Sequence, residues 1–148
     1  MTIYIDADGC PVVDQAIRVA GRYNVRCVII CDTAHIYNRS GVTTITVSKG
    51  PDSVDFALTQ RLKPGDVVIT QDYGLAAMCL AMRTTPISQN GMIYDDRNID
   101  ALLFQRHLSK QARKAGERLR GSVKRVRCQD QSFEQTLSKV LAEKVAQT

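Results

Sequence analysis

Five aspartates in the first half of this 148-residue chain stand at spacings where carboxylates do chemistry. Asp6 and Asp8 lie two apart in YIDADGC, Asp52 and Asp55 three apart in PDSVDFAL, and Asp72 closes VVITQD. Carboxylates that converge repel one another, and partly buried ones lose water, so such a set calls for protons or a cation to neutralise it. Ligands that are all oxygen favour a hard divalent ion, Mg2+ or Mn2+, which takes a few carboxylates and leaves room for water and a phosphate. Such an ion activates water and stabilises charge on a scissile phosphate. Each aspartate also has a plainer use. Asp52 and Asp72 could cap helices, and Asp8 before Gly9 could form a turn. Spacing alone leaves both readings open.

A parallel sheet would bring these residues together. Short apolar runs at 2–5, 26–31, 43–47 and 66–70, with a weaker one at 85–88, alternate with helical patterns over the first ninety residues. That alternation is the mark of βα units, and open sheets of this kind place ligands beyond the carboxyl ends of their strands. Asp6 and Asp72 end two of the runs, while Asp52 and Asp55 share one face of a helix expected over 52–62. Pro11, followed by apolar Val12, Val13, Ala16, Ile17 and Ala20, predicts the first helix, with Gly21 as its stop. The segment DYGLAAMCLAMR is apolar nearly all round and predicts a helix packed deep against the sheet. QNGMIY predicts a turn at Asn90-Gly91, with a short hairpin. The pattern predicts an α/β fold, with helices around a mainly parallel sheet plus C-terminal helices. Residues 1–148 read as one domain, of which 97–148 form a helical, basic part.

Charge is unevenly spread. Nine Lys and Arg against Glu117 between Gln105 and Arg127 give +8, so with +5 for the whole chain the remainder carries −3. A basic arm on an acidic body suggests a polyanionic partner, nucleic acid before others. A long helix is expected over 99–120, capped by Asn98 and ended by Gly121. Phe104, Leu108, Ala112, Ala115 and Leu119 would form its buried face, with Arg106, Lys110, Arg113 and Lys114 roughly opposite as the nucleic-acid contacts. FEQTLSKVLAEKV predicts a final amphipathic helix.

The chain resembles the YaiI/YqxD family across nearly its whole length. The resemblance rests on DADGCPVV, IICDTAH, KGPDSVDFAL, GDVVITQDYGLAAM, QNGMIY and RHLSKQARKAG. It implies membership of the PIN-like superfamily, whose members share an α/β/α sandwich and are often metal-dependent ribonucleases. Such nucleases place an Asp after the first strand, an acid on an early helix and an Asp in a T-x-D motif after a later strand. Carried over, the catalytic residues are Asp6, Asp55 and Asp72, with Asp8 and Asp52 as further metal-binding acids. The implied substrate is RNA before DNA. Relatives often have a Gly/Pro-rich stretch before the last helix, where this chain has GSVKRVRCQDQ.

Two rivals from other classes stand beside that reading. A haloacid-dehalogenase-like phosphatase would use Asp6 as nucleophile and Asp8 as general acid and base, but it wants a later acid pair after a strand, which Asp95-Asp96 do not supply. A non-catalytic nucleic-acid-binding or regulatory module would need only the fold and the basic helix. His35 in DTAHIYN follows a strand and could reach the cleft; Tyr73 beside Asp72 could stack on a base or simply pack. Five cysteines without a CxxC pair fit neither a disulfide framework nor a zinc ribbon, and Cys27 and Cys31 read as small buried apolar residues. Uncharged runs fall well short of the roughly 20 residues of a membrane span. The opening Met-Thr-Ile-Tyr-Ile-Asp has no basic stretch followed by an apolar core, so no secretory signal is expected and a cytoplasmic location is the default.

Overall fold

A computed structural model describes residues 1–35, 37–116 and 124–148. Five strands form one sheet: β1 (Thr2–Asp6), β2 (Arg26–Asp32), β3 (Thr43–Val47), β4 (Val67–Ile69) and β5 (Thr85–Ile87). Their order is β3-β2-β1-β4-β5, and every pairing is parallel. Helices α1 (Val13–Arg22) and α5 (Arg127–Ala146) cover one face, α2 (Ser53–Thr59) and α3 (Tyr73–Ala81) the other, and α4 (Asn98–Lys114) packs on α3. The chain leaves β1 toward β2 and β3 on one side, then crosses back to β4 and β5 on the other. The strand order therefore reverses between β1 and β4, and a crevice opens beyond their carboxyl ends.

Alternation along the strands builds the two cores. Ile3 and Ile5 of β1, Cys27, Ile29 and Cys31 of β2, and Ile69 of β4 meet α1 and α5, which contribute Val13, Ala16, Val19, Phe133, Leu137 and Leu141. Tyr4, Val28, Ile30 and Val68 point the other way, onto Val54, Ala57 and Leu58 of α2 and Leu75 and Cys79 of α3. Strands buried on both faces read as near-continuous apolar runs, which is why VIIC and VVI stand out in the sequence. At the amino end of the sheet, buried Asp66 accepts hydrogen bonds from the backbone N–H of Thr2 and of Lys63, each at 2.9 Å. Cys10, Cys27, Cys31 and Cys79 are buried free thiols, and Cys128 is exposed. Among the described residues no helix is long and apolar enough to cross a membrane.

Several expectations need correction. Gly21 lies inside α1, which ends after Arg22, so no glycine stops it. Helix α3 buries Leu75, Ala76 and Cys79 but leaves Met78 half exposed, so its all-round apolar composition does not mean all-round burial. Asn90-Gly91 does turn the chain, but only an isolated antiparallel bridge between Ile87 and Ile93 follows. Asn98 is instead the first residue of α4, and Asp95 in the turn before it takes up the free donors: its Oδ1 accepts from the N–H groups of Arg97 and Asn98, while Asn98 Oδ1 accepts from the N–H of Asp95.

The largest departure concerns the basic helix. The face of α4 that packs carries Ile99, Leu102 and Leu103, which meet Ala76, Ala77 and Leu80 of α3. Phe104 sits about 100° further round and is 61% exposed; Leu108 is 47% exposed. The stripe from Phe104 to Ala115 is therefore not buried on the body, because the first turn of α4 fixes which side faces α3. Arg106, Lys110, Arg113 and Lys114 are exposed, as expected. Leu119, Gly121 and the cations Arg118 and Arg120 lie outside the described residues.

Candidate functional site

Three βα connections feed the crevice. β1 delivers Asp6 at its last residue and Asp8 two residues on; the loop after β3 delivers Asp52 and the first turn of α2 Asp55; the step from β4 into α3 delivers Asp72. All five line one open cleft of about 610 Å³, together with Asp32, Tyr73 and Arg106. The expected convergence at the carboxyl edge of the sheet is what the fold produces.

Thr70 joins the two central strands across the cleft floor. Its hydroxyl donates to Asp6 Oδ2 at 2.8 Å and accepts from the backbone N–H of Asp72 at 3.0 Å. Tyr94, buried beneath, donates through its hydroxyl to the Thr70 carbonyl at 3.2 Å and meets the Tyr73 ring edge-to-face with centroids 6.1 Å apart. Tyr73 thus packs, while its position still borders the cleft.

The two central acids are poorly solvated. Burial raises the Asp6 carboxyl from 3.8 to about 7, with the charges of Asp55, Asp8 and Asp72 adding to the rise and the Thr70 hydroxyl opposing it. Burial likewise raises Asp55 to about 6, reinforced by Asp72 and Asp52 and opposed by Arg106. Asp66 at the other end of the sheet is the instructive contrast: two backbone N–H donors satisfy it, whereas Asp6 has a single hydroxyl donor among the described residues.

Asp72 serves two purposes. It is the N-cap of α3, accepting from the Leu75 N–H at 3.1 Å through Oδ1, and the same oxygen lies 3.6 Å from Arg106 Nη1. The capping reading is correct for Asp72 and does not remove it from the cleft. Asp52 precedes α2 in a left-handed conformation, φ 60°, with no capping bond from its side chain. The cap that spacing suggested for Asp52 is absent, and an acid is instead held in strained backbone at the cleft rim.

Sequence reasoning passed over part of the site. Asp8 Oδ1 accepts from the N–H of Asp32 at 3.2 Å, and His35 Nδ1 lies 3.2 Å from Asp8 Oδ1 and 3.1 Å from Asp32 Oδ1. Ligand atoms of Asp8, Asp32 and His35 all fall within 4.8 Å of one another, a spacing that could hold a metal ion. The Asp32 carboxyl is lowered, first by the hydrogen bond to His35 and then by the Ala34 N–H. An acid at the carboxyl end of a strand singled out Asp6; the same rule, with β2 extended one residue past Cys31, would have found Asp32.

Comparison with known proteins gives one consistent result. Residues 4–143 match the family described as uncharacterised, YaiI/YqxD. A UPF0178 protein of Exiguobacterium sibiricum is 54% identical over 144 residues, covering 97% of this chain and 99% of that one. UPF0178 proteins of Ruminiclostridium cellulolyticum and Clostridium acetobutylicum are 46% and 41% identical, covering 93% and 95% of this chain and 90% and 97% of theirs. No solved structure matches the chain.

Proposed function

The chain belongs to the YaiI/YqxD family, and for it we propose a PIN-like, divalent-metal-dependent nuclease that hydrolyses phosphodiester bonds in RNA. One observation carries the reading: five aspartates from three separate βα connections face one cleft at the point where strand order reverses. Crowding carboxylates there carries a cost, since burial and mutual repulsion raise the Asp6 carboxyl to about 7. A cation relieves that cost.

The donor chemistry suits a hard ion, because Asp6, Asp8, Asp52, Asp55 and Asp72 offer oxygen alone; among the described residues the ligand atoms that already stand within 4.8 Å of one another are those of Asp8, Asp32 and His35, so Asp6, Asp55 and Asp72 would have to close on the ion. Asp6, Asp55 and Asp72 would hold Mg2+ or Mn2+, with Asp8 and Asp52 as supporting acids. When bound, the ion would supply positive charge to the phosphate and acidify a water. The protein's own residues do the rest. Thr70 fixes the Asp6 carboxylate and the Asp72 backbone to one another. Arg106 brings a fixed positive charge to the rim, where a phosphate would approach. The basic face of α4 extends that attraction outward.

A phosphatase that uses Asp6 as nucleophile is weaker on two counts. Asp95, half of the later acid pair, is spent on the free donors at the start of α4. Asp8, the required general acid, is tied to the Asp32 N–H and faces His35. A non-catalytic nucleic-acid-binding module is the second reading, favoured by the structural uses of Asp72 as a cap and of Asp8 as a tie to β2. Calorimetric titration with Mn2+ separates the two. Micromolar uptake that Asp6→Asn abolishes supports the nuclease; a parent protein indifferent to Mn2+ and Mg2+ leaves only the module.

A further inference from the structure

Helix α2 buries Val54, Ala57 and Leu58, yet the residue between them, Phe56, is 65% exposed. A phenylalanine left in water forgoes about 1.5–3 kcal/mol that burial would provide, so its place is not explained by the packing of this chain. Met78 of α3 is 46% exposed. The two border a hollow of about 370 Å³ with Thr59, Gly74 and Arg106. This hollow is continuous with the acidic cleft, since Asp52, Asp55, Asp72 and Arg106 border both. Gly74 lines the hollow, where a Cβ would stand 3.2 Å from Asp72 Oδ1 and 3.9 Å from Arg106 Nη1.

The chemistry of the hollow selects its occupant. Three carboxylates at its edge repel an anion, and its apolar surface suits a flat uncharged ring, while Arg106 stands between hollow and cleft to meet a negative group attached to that ring. A nucleobase joined to its phosphate has this division of charge. A base paired within a helix has both faces covered by its neighbours in the stack, whereas an unpaired one is free to present a face to Phe56. We propose that Phe56 and Met78 form a stacking site for one unpaired base of single-stranded RNA, placing the adjoining phosphate in the acidic cleft. The inference rests on the nuclease reading and adds to it a base-binding subsite beside the acidic cleft.

The test is equilibrium binding of a fluorescent single-stranded RNA oligonucleotide and of the matching duplex, in Ca2+ buffer, to the full chain and two variants. Phe56→Ala should weaken single-strand binding about tenfold, as expected for loss of one stacked base at ~1–3 kcal/mol. Phe56→Trp should retain it, and the duplex affinity and Mn2+ uptake of all three proteins should agree. Equal single-strand affinity in Phe56→Ala and parent overturns the site, as does an equal loss for duplex and single strand. A change of sedimentation coefficient in Phe56→Ala would make the patch a contact between copies of this chain, which also overturns it. Phe56-dependent single-strand binding in a parent that takes up no Mn2+ would keep the stacking site and remove the nuclease. A parent that binds no RNA at low salt removes both.

Discussion

Thr70 donates its hydroxyl hydrogen bond to Asp6 across the seam between β4 and β1, at 2.8 Å. Among the described residues it is the one side-chain donor to a carboxylate that burial and three neighbouring charges push up to about 7. The cation-free protein therefore holds a proton on Asp6 over a range where the unfolded chain, titrating near 3.8, has lost it.

The sign of the pH dependence follows. Between about pH 4 and pH 7 the folded state binds more protons at Asp6 than the unfolded state, so its contribution to stability is full at the acid end and is lost as pH rises through about 7. Asp55, raised to about 6, acts in the same direction. In EDTA, Tm should fall across this window, and Asp6→Asn, which can still accept from Thr70, should flatten the fall. Mn2+ affinity should rise over the same range, because bound protons must leave. Parallel Tm curves for parent and Asp6→Asn would remove the buried, repelled carboxylate from the account.

Asp72 lets its two roles be separated. Asparagine caps about as well as aspartate, so Asp72→Asn should keep the bond from Leu75 N–H and leave metal-free stability equal or higher as repulsion with Asp55 is relieved. Asp72→Ala loses the cap and should cost about 1 kcal/mol. Both should abolish most Mn2+ uptake. Urea denaturation of the three proteins reads the first difference and calorimetry the second; equal destabilisation by Asn and Ala would mean that the charge, not the cap, holds α3.

Gly91 ties the turn after β5 to the last helix. Its φ is +83°, and a Cβ would stand 2.6 Å from the Ser132 carbonyl oxygen of α5. Gly91→Ala should cost at least the roughly 1–3 kcal/mol of a residue forced into unfavourable backbone, seen as a lower urea midpoint. Mn2+ uptake should persist under native conditions, because α5 covers the opposite face of the sheet from α2 and α3.

These residues also show what the sequence discloses. Asp6, Asp55 and Asp72 were legible because each follows an apolar run or a proline-started helix, and a parallel sheet brings such positions to one edge. Gly91 was legible as a turn, but its closeness to Ser132 depends on where α5 docks, 41 residues later. Thr70 stood in plain sight in VVITQD, yet its role needs the β1–β4 pairing, which local pattern does not specify. The exposed stripe of α4 departs from expectation for a related reason. Periodicity finds an apolar face, but only the packing of Ile99, Leu102 and Leu103 on α3 decides which face is buried.

The cations of α4 should divide into two kinds. Lys110, Arg113 and Lys114 are exposed and lie outside the cleft, so their attraction for RNA is that of charges facing a phosphate backbone. Replacing the three by Gln should lower the salt dependence of RNA binding by about one unit of slope for each phosphate no longer neutralised, with Mn2+ affinity unchanged. Arg106 differs, because its guanidinium stands 3.6 Å from Asp72 and opposes the rise of the Asp55 carboxyl. Arg106→Gln removes a fixed positive charge from the carboxylates that would receive the metal. It should therefore weaken RNA binding while strengthening Mn2+ binding several-fold at pH 8, where the acids are ionised. Two opposite shifts in one variant would distinguish a cation that competes with metal from one that merely faces water. If Arg106→Gln behaved like the triple variant, leaving Mn2+ uptake untouched, the metal would have to sit away from Asp72.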